Sequence, residues 1–275
     1  MLRNPQPDKT DTERQAGERI AKAVARAGIC SRREAERFIA AGRIRLNGHI
    51  LTSPAVTVKP GDAVTVDGKP LQPPEPVKLW RYHKASGLVT THRDPQGRAT
   101  VFDHLPKRLP RVISIGRLDL ASEGLLLLTN DGMLARRLEL PATAWTRRYR
   151  VCVRGAVEKA RLDRLAQGTT VEGMDYGAII VTLDTVENGE HWLTMCLKEG
   201  KNREIRRVLQ YLGLEVRKLV RTAYGPFQLG NLAREQVDEV PCRVLRDQLG
   251  AKLMSSLSGP DTSGKTRNAH RRRSS

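Results

Sequence analysis

The chain has 275 residues, with 48 Lys and Arg against 30 Asp and Glu, a net charge of +18 and a pI near 10.3. That length leaves room for more than one domain, and the excess positive charge points to a polyanionic partner, either nucleic acid or an anionic membrane surface. No apolar run approaches the ~20 residues of a bilayer span, and the polar stretch from Met1 to Lys22 lacks an apolar signal core, so neither a membrane-spanning nor an exported protein is expected. Cys30, Cys152, Cys196 and Cys242 are isolated, form no Cys-x-x-Cys pair and have no histidines at zinc-ligand spacing. A structural metal is therefore not expected, and free thiols suit a reducing cytoplasm.

Residues 1–17 are polar and Pro-containing, which predicts a disordered arm. From Glu18 the pattern changes. Ile20, Ala21, Val24 and Ala25 recur at helical spacing and Gly28 is a stop signal. Ser31-Arg32-Arg33-Glu34 has the form of a capping box for a second helix, with Ala35, Phe38 and Ile39 on its apolar side. Ile44–Leu46 and Ala63–Val66 alternate like strands, with turns at Asn47-Gly48, Pro60-Gly61-Asp62 and Asp67-Gly68. This predicts a small helix–helix–strand unit over 18–70. Residues 71–76 hold three prolines in six, a short stiff linker.

The block 77–249 mixes expected strands (Trp80–His83, Tyr149–Arg154, Ile179–Thr182, Trp192–Leu197) with expected helices (Asp131–Leu138, Val157–Gln167, Ile205–Leu212). The elements do not alternate regularly and no Gly-rich phosphate loop follows a strand. An α+β domain with a mixed, largely antiparallel sheet is predicted rather than a doubly wound nucleotide fold. Residues 250–275 carry six basic residues against Asp261 and little apolar content; they predict a disordered basic tail.

Between residues 18 and 48, eight basic side chains face three acids, a net of +5. Arg33 and Arg37 lie one turn apart on the expected second helix, and Arg43 and Arg45 belong to the strand that follows it. A solvated helix face would explain any one of these. The compact cluster Arg32, Arg33, Arg37, Arg43 and Arg45 favours phosphate contacts, which supply affinity and register rather than base identity. In the second block, Gly116-Arg117-Leu118-Asp119 stands just ahead of Leu125-Leu126-Leu127-Leu128, a run that must be buried. The carboxylate thus sits on a support against the core, and spacing alone leaves a salt-bridged structural Asp as the simpler reading.

The run Ala27-Gly28-Ile29-Cys30-Ser31-Arg32-Arg33-Glu34-Ala35-Glu36 followed by Gly42-Arg43-Ile44-Arg45-Leu46-Asn47-Gly48 resembles the S-four-like RNA-binding module, with Cys30 where a small residue is usual. Ile115–Gly132 resembles the signature of the RsuA/RluB family of rRNA pseudouridine synthases. The likeness continues at Thr146–Val151 and at Glu199-Gly200-Lys201-Asn202-Arg203-Glu204-Ile205-Arg206-Arg207, and it covers about residues 18–245. It departs from the family at Ala85, in His83-Lys84-Ala85-Ser86-Gly87, where a Lys-Pro pair is common, and in the residues just after Asp119.

The resemblance implies Asp119 as nucleophile, Tyr149 as the active-site tyrosine and Arg206 as the basic partner of the nucleophile. It further implies Leu219 as an apolar residue near the target base, and substrate contacts from Arg117, Lys201 and Asn202. No cofactor or metal is implied. Turning a uridine into its C-glycoside needs an ionised carboxylate, which an arginine beside it would favour, and a base taken out of its stack. The expected substrate is ribosomal RNA, most of all the large-subunit (23S) RNA, free or in a pre-ribosomal particle, with a monomeric protein in the cytoplasm and no membrane partner. The alternatives are the same reaction on small-subunit (16S) rRNA or tRNA, and a non-catalytic RNA-binding ribosome-assembly factor.

Overall fold

The structure is a computed structural model that describes residues 17–140 and 145–250; the expected arm and basic tail lie, but for Gly17 and Gly250, outside these residues. Four short strands form the sheet of the first unit: β2 (Ile44–Leu46), β3 (His49–Ile50), β5 (Val64–Val66) and β6 (Lys69–Pro70), ordered β3-β2-β5-β6. Beside it, β1 (Glu18–Arg19) pairs antiparallel with β4 (Thr57–Val58). Helices α1 (Ile20–Arg26) and α2 (Arg32–Ala40) bury Ile20, Val24, Ala35 and Ile39 against Ile44, Val64 and Val66. Ser31 caps α2 as expected, its Oγ accepting from Glu34 N at 3.2 Å. The return bond of a full capping box, from Ser31 N to the Glu34 carboxylate, does not form among the described residues.

Residues 71–78 have no regular secondary structure and lead into β7 (Leu79–Lys84). The second unit is built on one large sheet. Its further strands are β8 (Ile113–Ile115), β9 (Glu123–Thr129), β10 (Arg147–Arg154), β13 (Ile179–Glu187), β14 (Glu190–Leu197), β15 (Glu215–Tyr224), β16 (Phe227–Gln228) and β17 (Val237–Glu239). The order is β13-β14-β10-β15-β9-β7-β17, with β8 added to β9 and β16 to β15. A small hairpin, β11 (Thr169–Val171) with β12 (Met174–Tyr176), stands apart. The fold class is the α+β class expected, with a mixed and largely antiparallel sheet. Among the described strands of this sheet, β9 and β15 pair in parallel, with Glu123 and Gly124 opposite Val220 and Arg221.

The leucine run sits on β9 and is covered on both faces, which is why four consecutive apolar residues suit a strand here. Leu126 and Leu128 point into a core shared with Tyr82, Tyr149, Val151 and Leu219, covered by α4 (Lys159–Arg164) and α5 (Glu204–Tyr211). Leu125 and Leu127 point to the other face, against α3 (Gly132–Glu139) and α6 (Cys242–Leu249). All four are fully buried, and each removes enough apolar surface from water to contribute about 2 kcal/mol. Asp131, the expected first residue of α3, is its cap: its Oδ1 accepts from Met133 N and Leu134 N at 2.8 and 2.7 Å. The helix expected over Val157–Gln167 is shorter, because the chain tightens into a 3-10 turn at Leu165–Gln167 before Gly168. Among the described residues, no helix is long and apolar enough to cross a membrane.

Candidate active site

The parallel junction between β9 and β15 sets the site. The loop 116–122 runs directly into the start of β9, so pairing that start with residues 220–221 brings Asp119 beside Leu219 and Arg221. A cavity of about 760 Å³ opens there. Asp119, Arg117, Tyr149, Lys201, Asn202, Arg206 and Leu219 all line it, although they come from stretches far apart in sequence. Tyr149 and Leu219 are buried, on adjacent strands β10 and β15. Arg32, Arg33, Arg37, Arg43 and Arg45 are not part of this cavity; they lie on the first unit, with their side chains exposed.

The Asp119 loop is clamped along its whole length. Gly116 N donates to Glu139 Oε1 at 2.6 Å, and Thr90 Oγ1 donates to Leu118 O at 2.9 Å. Gly87 N donates to Leu120 O at 2.8 Å. Arg206 Nη2 donates to Ala121 O at 2.9 Å. The Lys84 ammonium, fully buried, donates to Ala85 O, Leu120 O and Ser122 O at 2.9, 3.3 and 2.8 Å. Asp119 itself takes no part in this clamping through its side chain, which is one-third exposed. A rigid loop presenting an unclamped carboxylate to a cavity is suited to attack on a bound molecule.

Lys84 was not singled out by its sequence motif, yet the strand alternation marks it. Trp80, Tyr82 and Lys84 occupy the same inward-facing register of β7, and the third is an ammonium. Burial pulls its pKa down to about 8, while the charges of Asp119 and Glu123 oppose that pull. Lys84→Met removes the donor from Ala85 O and Ser122 O, while Leu120 O keeps Gly87 N. Leaving the buried Ser122 carbonyl and the half-buried Ala85 carbonyl without this donor costs about 3 kcal/mol, so the thermal midpoint is expected to fall by about 6–12 °C. A melting curve superimposable on wild type would contradict this reading of Lys84.

The expected ion pair between Asp119 and Arg206 does not form. The guanidinium at ion-pair distance is Arg203, whose Nη1 lies 3.9 Å from Asp119 Oδ2. The reason is backbone geometry. Arg203 occupies the N-cap position of α5 in a left-handed conformation with φ near +50°, whereas Arg206 lies within α5 and directs its two terminal nitrogens to Val216 O and Ala121 O. Burial lowers the Arg206 pKa, the nearby charge of Arg203 lowers it further, and the charge of Asp119 opposes both. Lys201 is also engaged: its Nζ pairs with Glu199 Oε2 at 2.8 Å and donates to Asp175 O at 2.6 Å. Arg43, among the basic residues of the first unit, forms a two-pronged pair with Asp67 at 2.8 and 2.6 Å and stacks on Phe38. Its charge is thus partly neutralised, while Arg32, Arg33, Arg37 and Arg45 have no carboxylate partner among the described residues.

Two further residues of the site had no sequence signal of their own. Glu204 is buried at the start of α5, and its Oε2 accepts from Lys201 N at 2.9 Å, holding the 200–203 turn. Burial, reinforced by Glu199, pushes its carboxyl up to about 7. Arg221 is a buried guanidinium on β15, in a stretch whose charged residues conceal its strand alternation.

Residues 18–64 match the S4 domain and residues 78–211 match the family described as RNA pseudouridylate synthase. An uncharacterized RNA pseudouridine synthase of Rickettsia prowazekii is 42% identical over 231 residues, covering 84% of this chain and 97% of the relative. The ribosomal large subunit pseudouridine synthase B of Pseudomonas aeruginosa is 39% identical over 248 residues, covering 86% of this chain and 64% of that protein. A crystal structure of a pseudouridylate synthase has the same fold, with a TM-score of 0.59 at 23% identity, covering 85% of this chain and all of that one. With an S4 domain ahead of a synthase domain, and relatives of this similarity along most of its length, the chain belongs to the RNA pseudouridine synthase family.

Proposed function

We propose that this enzyme isomerises a specific uridine of large-subunit ribosomal RNA, with Asp119 as nucleophile and the target base flipped into the cavity. The observation that carries the proposal is the clamped loop: five separate donors or acceptors fix the backbone around Asp119 while its carboxylate faces a cavity lined by Tyr149 and Leu219. The reaction breaks the N1–C1′ bond, turns the uracil and forms the C5–C1′ bond. C5 gives up its proton and N1 ends with one, so no oxidant or second substrate is consumed. Attack at C1′, attack at C6 and removal of a sugar proton all begin with an ionised carboxylate, and the Arg203 guanidinium stands 3.9 Å from it.

Tyr149 stacks on the base and accepts the C5 proton in this scheme, while Leu219 packs against the ring. Arg117, exposed two residues before the nucleophile, fills the gap left by the flipped base or grips a flanking phosphate, and Asn202 contacts the same strand. A base inside an RNA stack cannot reach a cavity wall, so flipping is required. The S4 domain and its exposed Arg32, Arg33, Arg37 and Arg45 supply phosphate contacts that raise affinity and set register. Large-subunit RNA is favoured because relatives at 39% identity are named for that substrate. The working form is a cytoplasmic monomer on free rRNA or an assembling particle.

The test is a pseudouridine map of ribosomal RNA from cells lacking the protein, with and without a wild-type copy restored. One 23S position is expected to lose its modification and regain it with the wild-type gene. An unchanged map overturns the proposal, and a lost site in 16S rRNA or tRNA replaces its substrate.

A further inference from the structure

Arg221 stands out among the groups that the scheme above leaves unused. It is only 2% exposed, yet it lines the cavity that holds Asp119. Its Nε donates to Leu125 O at 2.8 Å and its guanidinium lies 5.2 Å from the centre of the Tyr224 ring. Neither terminal nitrogen has an acceptor among the described residues; Nη2 is sealed from solvent, so Nη1 is the donor left to meet a group in the cavity. No carboxylate lies within ion-pair distance among those residues. A buried cation without a counter-charge, carrying spare donors, is costly unless something supplies the missing acceptor.

The position of Arg221 says what that acceptor is. It lies opposite Tyr149 across the β10–β15 ladder and two residues beyond Leu219 on the same face of β15. A flipped nucleotide enters base first, so its phosphates stay at the mouth, where the exposed Arg117 and Arg203 stand, and its base edge goes to the floor. Uracil presents two carbonyl oxygens there, and a guanidinium offers donors only. We propose that Arg221 recognises the uracil ring itself, donating to one of its carbonyl oxygens at the cavity floor; this rests on the flipped-uridine reading. The reaction makes the contact reusable. Turning uracil about its N3–C6 axis exchanges N1 with C5 and O2 with O4, so the guanidinium meets a carbonyl oxygen before and after the turn. Cytosine, with an amino group in place of O4, would set donor against donor in one of those two states.

The full-length protein and its Arg221→Met and Arg221→Lys variants are compared on RNA carrying the mapped target as uridine, 2-thiouridine or 4-thiouridine. Wild type should lose about tenfold in single-turnover rate with one of the thio bases, because sulfur is a weak acceptor. Arg221→Met should turn over uridine on the order of 100-fold more slowly, the loss expected for one charge-assisted hydrogen bond, with RNA affinity within threefold of wild type and no remaining thio penalty. A general packing defect would slow all three substrates alike and keep the penalty, which overturns the proposal. So does a fall in RNA affinity with the single-turnover rate intact, the mark of a phosphate contact, or a wild type that does not discriminate the thio bases. If the Met variant does not fold, the Lys variant decides: it keeps the charge without the planar fork, and an undiminished thio penalty in it counts against the proposal. Wild-type protein that converts no uridine in the RNA brings down the flipped-uridine reading itself, and that result is visible before any variant is made.

Discussion

Asp119→Asn is expected to abolish pseudouridine formation, lowering the single-turnover rate by at least ~10⁴-fold, while the protein folds and binds RNA almost as before. The magnitude is that of removing a nucleophile with no neighbour able to replace it. Asparagine matches aspartate in shape, and every bond that fixes loop 116–122 goes to the backbone or to other side chains, so the loop should hold its position. The ion pair that is lost, with Arg203 at 3.9 Å and half-exposed, contributes little to stability in water. Melting temperature should therefore move by no more than a degree or two, and RNA affinity by less than about threefold or in favour of the variant, since a negative charge leaves a basic cavity. Turnover within tenfold of wild type would remove Asp119 as nucleophile and favour a non-catalytic RNA-binding role. Asp119→Glu separates charge from geometry: a carboxylate displaced by one methylene from a rigid loop should recover little of the rate.

How far the sequence carries this picture depends on what kind of signal each residue has. Local patterns were legible. The helices of the first unit, the Ser31 cap, the helix beginning near Asp131 and the strands around Trp80 and Tyr149 follow from periodicity and side-chain chemistry within a few residues. The leucine run was legible as buried but its two-sided burial was not, because both faces are covered by helices from distant parts of the chain. β15 was invisible: Arg217, Lys218 and Arg221 break its alternation, and only the assembled sheet makes Arg221 interior. The exchange of Arg203 for Arg206 at the carboxylate is a matter of one helix turn and one left-handed residue, and motif likeness does not resolve that. Lys84 falls between these cases. Its inward register could be counted along β7, but two of its three carbonyl acceptors, Leu120 O and Ser122 O, lie on a loop 36 and 38 residues away.

Gly124→Ala is the substitution expected to do most damage to the fold, and the reason lies in the same junction that creates the site. Gly124 has φ of +103°, and a Cβ built there would stand 2.3 Å from Arg221 O and 2.7 Å from Arg221 N. Both obstacles are backbone atoms of the parallel partner strand, so no rotamer change relieves the clash; β9 and β15 must separate. The left-handed backbone alone costs an alanine about 1–2 kcal/mol, and parting the ladder adds the loss of its hydrogen bonds and of leucine packing behind it, for about 4 kcal/mol or more in total. Soluble yield should drop sharply, and any folded fraction should melt about 8–16 °C lower. Gly116→Ala is the matched control. Its φ is +67° with nothing within 4 Å of the added Cβ, so it pays the backbone cost alone, about 1 kcal/mol. If Gly124→Ala melts no lower than Gly116→Ala, the close approach of β9 to β15 is wrong, and with it the geometry that brings Asp119 to Leu219 and Arg221. If it melts far lower, any residual folded enzyme should also lose turnover more than Gly116→Ala does, because moving β15 away from β9 opens the cavity floor beneath the nucleophile.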